Sequence, residues 1–143
     1  MLERPLLTPD QVTAVHERVL IVEDNAVIAL GMREVLSQAG FDVVGTAATV
    51  GEALRVAADT CPDIAIMDVT LAGRRDGIEG ALLLRQGSRL PVLFLTGQDD
   101  LVTRLRAASA QPAAYLLKPV SGERLVNAVR CALQTNAGRA GGS

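Results

Sequence analysis

The sequence predicts a doubly wound α/β fold, a five-stranded parallel sheet with helices on both faces. Three observations lead there. Short aliphatic runs alternate five times with stretches whose apolar residues recur at helical spacing, the pattern of repeated βαβ units with right-handed crossovers. The runs are continuously apolar, as strands buried on both faces are. The chain is 143 residues long and has neither internal repeat nor linker, which suits one domain at roughly 100–200 residues per domain.

Val19 to Glu23 (VLIVE) is strand one. Asn25 is a good N-cap for a helix over Ala26 to Ala39, with Val27, Leu30, Val35 and Leu36 at helical spacing and Gly40 closing it. Phe41 to Ala47 is strand two, and Thr49 caps a helix to about Asp59 with Ala53, Leu54 and Ala57 on one face. Pro62 breaks the chain before strand three, Asp63 to Asp68. Val69 to Gly77 has two glycines and no apolar period, so it is a loop. Ile78 to about Gln86 is helix three, ended by Gly87-Ser88. Pro91 to Thr96 is strand four, and Gly97-Gln98-Asp99 turns into helix four. After Pro112 come strand five, Ala113 to Leu117, and a last helix capped by Ser121 and running to about Leu133. Thr8-Pro9-Asp10 reads as a cap with Pro at the first helical position, which predicts a short helix to about Arg18. The expected organisation is an N-terminal extension over 1–17, the domain over 18–133 and a flexible tail over 134–143.

Composition narrows the function. Apolar residues make up 49%, enough to bury a core, which excludes a disordered tail. Phe41, Phe94 and Tyr115 are the whole aromatic complement, so the core is aliphatic and no base-stacking platform exists. The net charge of −2, with no basic block, argues against a nucleic-acid module. No apolar run reaches the roughly 18 residues of a membrane span, and MLERPLLTPDQV lacks the apolar stretch of a signal peptide. Cys61 and Cys131 form no CxxC pattern and are expected as two buried thiols in a reducing cytoplasm. A single His argues against a His-based metal site or triad.

Ligands of such sheets bind outside the carboxyl ends of the strands. Those ends carry Glu23-Asp24, Asp68, Thr96 and Lys118, polar tips on aliphatic strand bodies. Like charges about 4 Å apart repel by on the order of 4 kcal/mol at a typical effective dielectric. Three carboxylates in one crevice therefore need protonation or a cation. Hard oxygen donors without His or Cys suit Mg²⁺, and Mg²⁺ suits a phosphoryl group. A hydroxyl and an ammonium complement phosphoryl oxygens. An Asp carboxylate can itself attack phosphorus and form an acyl phosphate. Asp68, on the middle strand of a sheet ordered 2-1-3-4-5, is best placed to do so. Singly, each residue has an ordinary reading: a solvated Glu-Asp turn, a capping Asp, a strand-end hydroxyl, an exposed loop lysine. Jointly, in this strand order, they do not.

With VLIVEDN (19–25), IAIMDV (64–69), VLFLTG (92–97) and YLLKPV (115–120), the sequence resembles a response-regulator receiver domain of two-component signalling from about Arg18 to Leu133. The strand order used above is that family's flavodoxin-like order, so it is not independent of the resemblance. The resemblance implies Asp68 as phospho-acceptor, with Asp24 and Asp68 ligating Mg²⁺ directly, Glu23 acting mainly through water and the Thr70 carbonyl completing the ligands. It implies that Thr96 bonds the phosphoryl group, that Lys118 pairs with it, that the Lys118-Pro119 peptide is cis, and that Tyr115 is the switch aromatic. Gln98 and Thr70 occupy positions that influence phosphoryl hydrolysis in the family. The sequence departs from the pattern at Ala72, where many receivers have Pro, and the loop before Gly77 looks about one residue longer. Glu23 stands where Asp is commoner.

The implied function is signalling rather than enzymatic. A histidine kinase or phosphotransfer protein donates a phosphoryl group to Asp68; Thr96 is drawn inward, Tyr115 turns, and the helix four–strand five–helix five face changes shape for a downstream protein target or phosphate acceptor. The start of helix one, Asn25 to Val27, is ordinary core packing or, by the resemblance, a kinase-docking surface. No direct contact with nucleic acid or membrane is expected, and pairing of two copies through the last helices stays open. The residues after Leu133 are too few for an output domain, so the expectation is a single-domain receiver or a receiver cut from a longer regulator. Two other classes compete. A pseudo-receiver would bind partners without phosphorylation, but usually lacks the acceptor, acids or lysine. A small hydrolase with an Asp nucleophile needs a cap or pocket for which this chain has no spare residues.

Overall fold

A computed structural model describes residues 16–142. Five parallel strands, β1 (Arg18–Val22), β2 (Asp42–Ala47), β3 (Ile64–Met67), β4 (Val92–Thr96) and β5 (Ala114–Leu117), lie in the order β2-β1-β3-β4-β5. The helices are α1 (Ala26–Gln38), α2 (Val50–Thr60), α3 (Gly77–Leu84), α4 (Leu101–Ala108) and α5 (Gly122–Gly142). The doubly wound, flavodoxin-like receiver topology expected from the sequence is the one observed.

Alternation along the strands divides the core in two. Val19 and Ile21 face a cluster with Met32 and Leu36 of α1 and Leu125 and Val129 of α5. Leu20 and Val22 face the opposite cluster, with Ala53 of α2, Ile78 and Leu84 of α3 and Ala107 of α4. Because β1, β3 and β4 are interior strands, both faces are covered, and their continuous apolar runs follow. In-register pairing of Val22 with Met67, and of Met67 with Phe94, aligns the ends of these strands. The residues that follow Val22, Met67 and Leu95 therefore emerge along one edge.

Caps set the helix starts. The Asn25 side chain accepts hydrogen bonds from Val27 and Ile28 N–H (3.0 and 3.1 Å), Thr49 from Glu52 (3.2 Å) and Ser121 from Arg124 (3.1 Å), as the sequence suggests. Two further caps, Asp76 for α3 and Asp100 for α4, move those starts to Gly77 and Leu101. Gly40, with φ +97°, sits just past the C-cap of α1 in the left-handed region that Gly enters without steric cost.

Several expectations are corrected. Val27 and Leu30 are 79% and 59% exposed; of the expected face Leu36 is buried, and Ala29 and Met32 are buried with it, a stripe rotated from the expected one because the sheet meets the helix along that line. Cys61 and Cys131 are exposed: Cys61 is the left-handed C-cap of α2, and Cys131, with Arg130, lies between Val129 and Ala132, the residues of α5 that turn inward. The last helix continues to Gly142, past Leu133 and through the expected tail, since no proline interrupts it. His16 and Glu17 are not helical and Arg18 opens β1 rather than ending a helix, and the rest of the expected N-terminal helix, up to residue 15, lies outside the described residues. Among the described residues no helix is long and apolar enough to cross a membrane.

Candidate functional site

The polar strand tips meet at the C-terminal edge of the sheet. Glu23, Asp24 and Asp68 each place a carboxylate oxygen within 4.8 Å of the others. Glu23 and Asp68 are buried, while Asp24 is open to solvent. Lys118 reaches across from β5 and donates from Nζ to Glu23 Oε1 (2.6 Å) and to Asp68 Oδ2 (2.7 Å). The peptide between Lys118 and Pro119 is cis. Asp68 Oδ1 accepts from the Thr70 N–H (3.0 Å), and Glu23 Oε2 from the Asn25 N–H (3.1 Å).

Electrostatics follow from this crowding. Burial, foremost, pushes the Glu23 carboxyl above its ordinary value; bonds from Lys118 and Asn25 pull it back, and the Asp68 charge adds to the rise. Burial works against the Lys118 ammonium, but its bonds to Asp68 and Glu23 outweigh that and hold its pKa above the usual lysine value. Three carboxylates against one ammonium leave two negative charges uncompensated when all are ionised. Hard oxygen donors with that excess, one of them open to solvent, fit a divalent cation such as Mg²⁺, which binds through few carboxylates and keeps several waters.

The glycine at the start of α3 is part of the site. A Cβ on Gly77 would lie 1.9 Å from the Asp68 carbonyl oxygen, and the Gly77 N–H donates to the Val69 carbonyl (2.7 Å). Only a residue without a side chain lets α3 start this close to the acceptor strand. The sequence signals a glycine in a loop but not this approach. The loop's departures at Ala72 and in length leave the Asp68–Thr70 turn formed.

Thr96 is fully buried at the tip of β4, and its Oγ1 accepts from the Gln98 N–H (3.2 Å). The Gln98 amide reaches the Thr70 hydroxyl (3.4 Å), so the two positions singled out beside the acceptor and Thr96 touch. Tyr115 is half-buried, its ring edge-on to Phe94 with centroids 6.2 Å apart and its hydroxyl donating to the Gln98 carbonyl. Burial, chiefly, pushes its phenol up, opposed by Arg104. Glu23, Asp24, Asp68, Thr70, Thr96, Gln98 and Lys118 thus lie on this edge or on the loops beside it, and Tyr115 lies within β5 with its hydroxyl reaching the Gln98 loop. Arg104, stacked over the Tyr115 ring, was not among them.

The model of the response regulator receiver domain family matches residues 19–130. The chain belongs to that family. As a receiver of two-component signalling it is similar to the transcriptional regulatory protein PdtaR of Mycobacterium tuberculosis, with 41% identity over 88% of this chain and 61% of that protein. It is also similar to the DNA-binding response regulator MtrA of Mycolicibacterium paratuberculosis, with 32% identity over 85% of this chain and 53% of that one. The receiver thus spans between about half and three-fifths of these relatives. Among solved structures it resembles the signal receiver domain of a modulated diguanylate cyclase from Desulfovibrio desulfuricans, with TM-score 0.81 and 38% identity over 85% of this chain and 97% of that one. A CheY-like receiver domain protein from Methanospirillum hungatei gives TM-score 0.78 at 25% identity, over 87% and 98%.

Proposed function

We propose that this receiver accepts a phosphoryl group on Asp68 from a histidine kinase or phosphotransfer protein, with Mg²⁺, and that the modification switches its α4–β5–α5 face toward a protein target or phosphate acceptor. The observation that carries the reading is the Lys118 ammonium held between Glu23 and Asp68, with Asp24 open beside them. Asp24 and Asp68 would hold the ion directly, with Glu23 through water and the Thr70 carbonyl completing the set. Bound there, Mg²⁺ supplies positive charge that offsets repulsion between the carboxylates and the incoming phosphoryl oxygens.

An Asp68 carboxylate oxygen attacks phosphorus; the new O–P bond replaces the donor's P–N bond, and the imidazole leaves and takes a proton. The attack is in line, so binding and orientation carry the catalysis. Lys118 gives up part of its hold on Asp68 and pairs with the phosphoryl oxygens. The Thr96 hydroxyl, now bonded to the Gln98 N–H, turns to donate to the same group. The added charge of about −1.5 to −2 biases a two-state packing in which Tyr115 and α4 shift. Exposed Leu101, Val102 and Leu105 give α4 an apolar surface for a target. On the donor's side, a groove of about 560 Å³ between α1 and the β5–α5 turn, lined by Ile28, Met32, Val35, Pro119, Val120 and Leu125, suits a partner's helix.

Incubation with Mg²⁺ and acetyl phosphate tests this, read by intact mass. The expected result is a gain of one phosphoryl group that is absent in Asp68→Asn and in reactions with chelator. Mg²⁺ binding without any mass gain would instead mark a pseudo-receiver that acts by contact alone.

A further inference from the structure

We infer that Arg104 is a positioning residue for Tyr115, clamping the ring against the β4–α4 loop so that the ring and the first turn of α4 move as one unit. The inference rests on the reading above only for calling Tyr115 a switch; the contacts themselves do not involve Asp68.

Contacts from separate elements converge on one ring. The Arg104 Cζ lies 4.8 Å from the ring centroid, inside the reach at which a cation is attracted to an aromatic face. The Arg104 Nε is ion-paired with Asp99 in the β4–α4 loop, which turns the flat guanidinium toward the ring. The hydroxyl at the ring's far end donates to the Gln98 carbonyl in that same loop. Phe94 of β4 supports the ring edge-on. The tip, one face and one edge are therefore held from β4, from the loop and from α4, while the ring itself belongs to β5.

The ring cannot turn without releasing the Gln98 carbonyl and leaving the guanidinium. When it does, Arg104 loses its platform, and the first turn of α4, with exposed Leu101, Val102 and Leu105 around it, is released with it. A lysine at 104 would keep the charge but not the plane that stacks. Arg106, two residues on, is the built-in control, because it pairs with Asp76 (2.7 Å) instead of the ring.

Tyr115 is the chain's one tyrosine and there is no tryptophan, so tyrosine emission and the tyrosine band of the near-ultraviolet circular dichroism, at longer wavelength than the phenylalanine bands of Phe41 and Phe94, report this ring alone. In unphosphorylated protein, Arg104→Ala is expected to raise the acrylamide quenching constant by about two- to five-fold, the population change a contact of this kind holds. The tyrosine dichroism should weaken with it. Arg104→Lys should fall between, and Arg106→Ala should match wild type. A folded Arg104→Ala with wild-type quenching and dichroism overturns the clamp, as does an Arg106→Ala protein that changes equally. If Arg104→Ala does not fold, Asp99→Ala decides: raised quenching supports the clamp and unchanged quenching overturns it. Acetyl phosphate labelling of the same proteins separates the two readings. A wild type that gains no phosphoryl group overturns the phosphorylation proposal, while quenching still decides the clamp.

Discussion

At Lys118 one ammonium holds two buried carboxylates that otherwise repel each other. Removing one partner of a fully buried ion pair costs about 3–5 kcal/mol, because the remaining charge is stranded. The Lys118 side chain keeps 23% of its exposure, so Lys118→Ala is expected to lower unfolding free energy by about 1–3 kcal/mol, less than the full cost. Urea unfolding with and without Mg²⁺ checks this, and the ion should restore more stability to the variant than it adds to wild type. The folded-state lysine pKa is raised, so the pair's contribution is complete below the ordinary 10.5 and is lost as pH climbs through the raised value. The difference between wild type and variant should close over that alkaline range. At this scale the sequence is informative wherever a polar residue ends an aliphatic run, as Glu23, Asp68, Thr96 and Lys118 do. It is silent on Arg104, which looks like any exposed helical arginine until the Tyr115 ring is seen beneath it.

Helix α3 depends on its cap and on its first residue in different ways. Asp76 caps it, accepting from the Glu79 N–H (3.0 Å), and pairs with Arg106 of α4. Burial opposes the Asp76 charge, but the bonds from Glu79 and Arg106 outweigh it and hold the carboxyl below its ordinary value of 3.8. That contribution is present above 3.8 and lost as pH falls through the depressed value. Asp76→Ala is expected to cost about 1 kcal/mol at neutral pH, the usual cost of a lost cap, and the loss should shrink in acid; urea midpoints against pH measure it. Gly77→Ala is harsher, since its Cβ meets backbone at 1.9 Å. About 1–3 kcal/mol of overpacking is expected, with impaired acetyl phosphate labelling because the strained atom is the Asp68 carbonyl; melting and intact mass read the two effects. Helix existence and three of the caps were legible from periodicity and Asn25, Thr49 and Ser121. The buried stripe of α1 was not, because Val27 and Leu30 satisfy a helical period as well as Ala29 and Met32 do.

Across the whole molecule, the sheet is what makes a site from distant residues. Glu23 and Lys118 are 95 positions apart and meet at 2.6 Å, because β1, β3, β4 and β5 run parallel and end along one edge. The folded edge carries a carboxylate excess that the unfolded chain disperses, so Mg²⁺ should bind the native state preferentially. Thermal melting should show this as stabilisation of about 2.7 kcal/mol at a concentration 100 times the dissociation constant, absent in Asp24→Asn. A wild type whose melting does not respond to Mg²⁺ would count against the site.

By itself the sequence determined the βα alternation, the strand order through its family motifs, and which residues stand at the strand tips. These depend on period and on residues adjacent in the chain. Only the tertiary structure decided which face of α1 is buried, that both cysteines face solvent, that α3 starts against the Asp68 carbonyl, and that Arg104 lies on Tyr115. Each of these is settled by how separate elements pack against one another, at distances that no local pattern encodes.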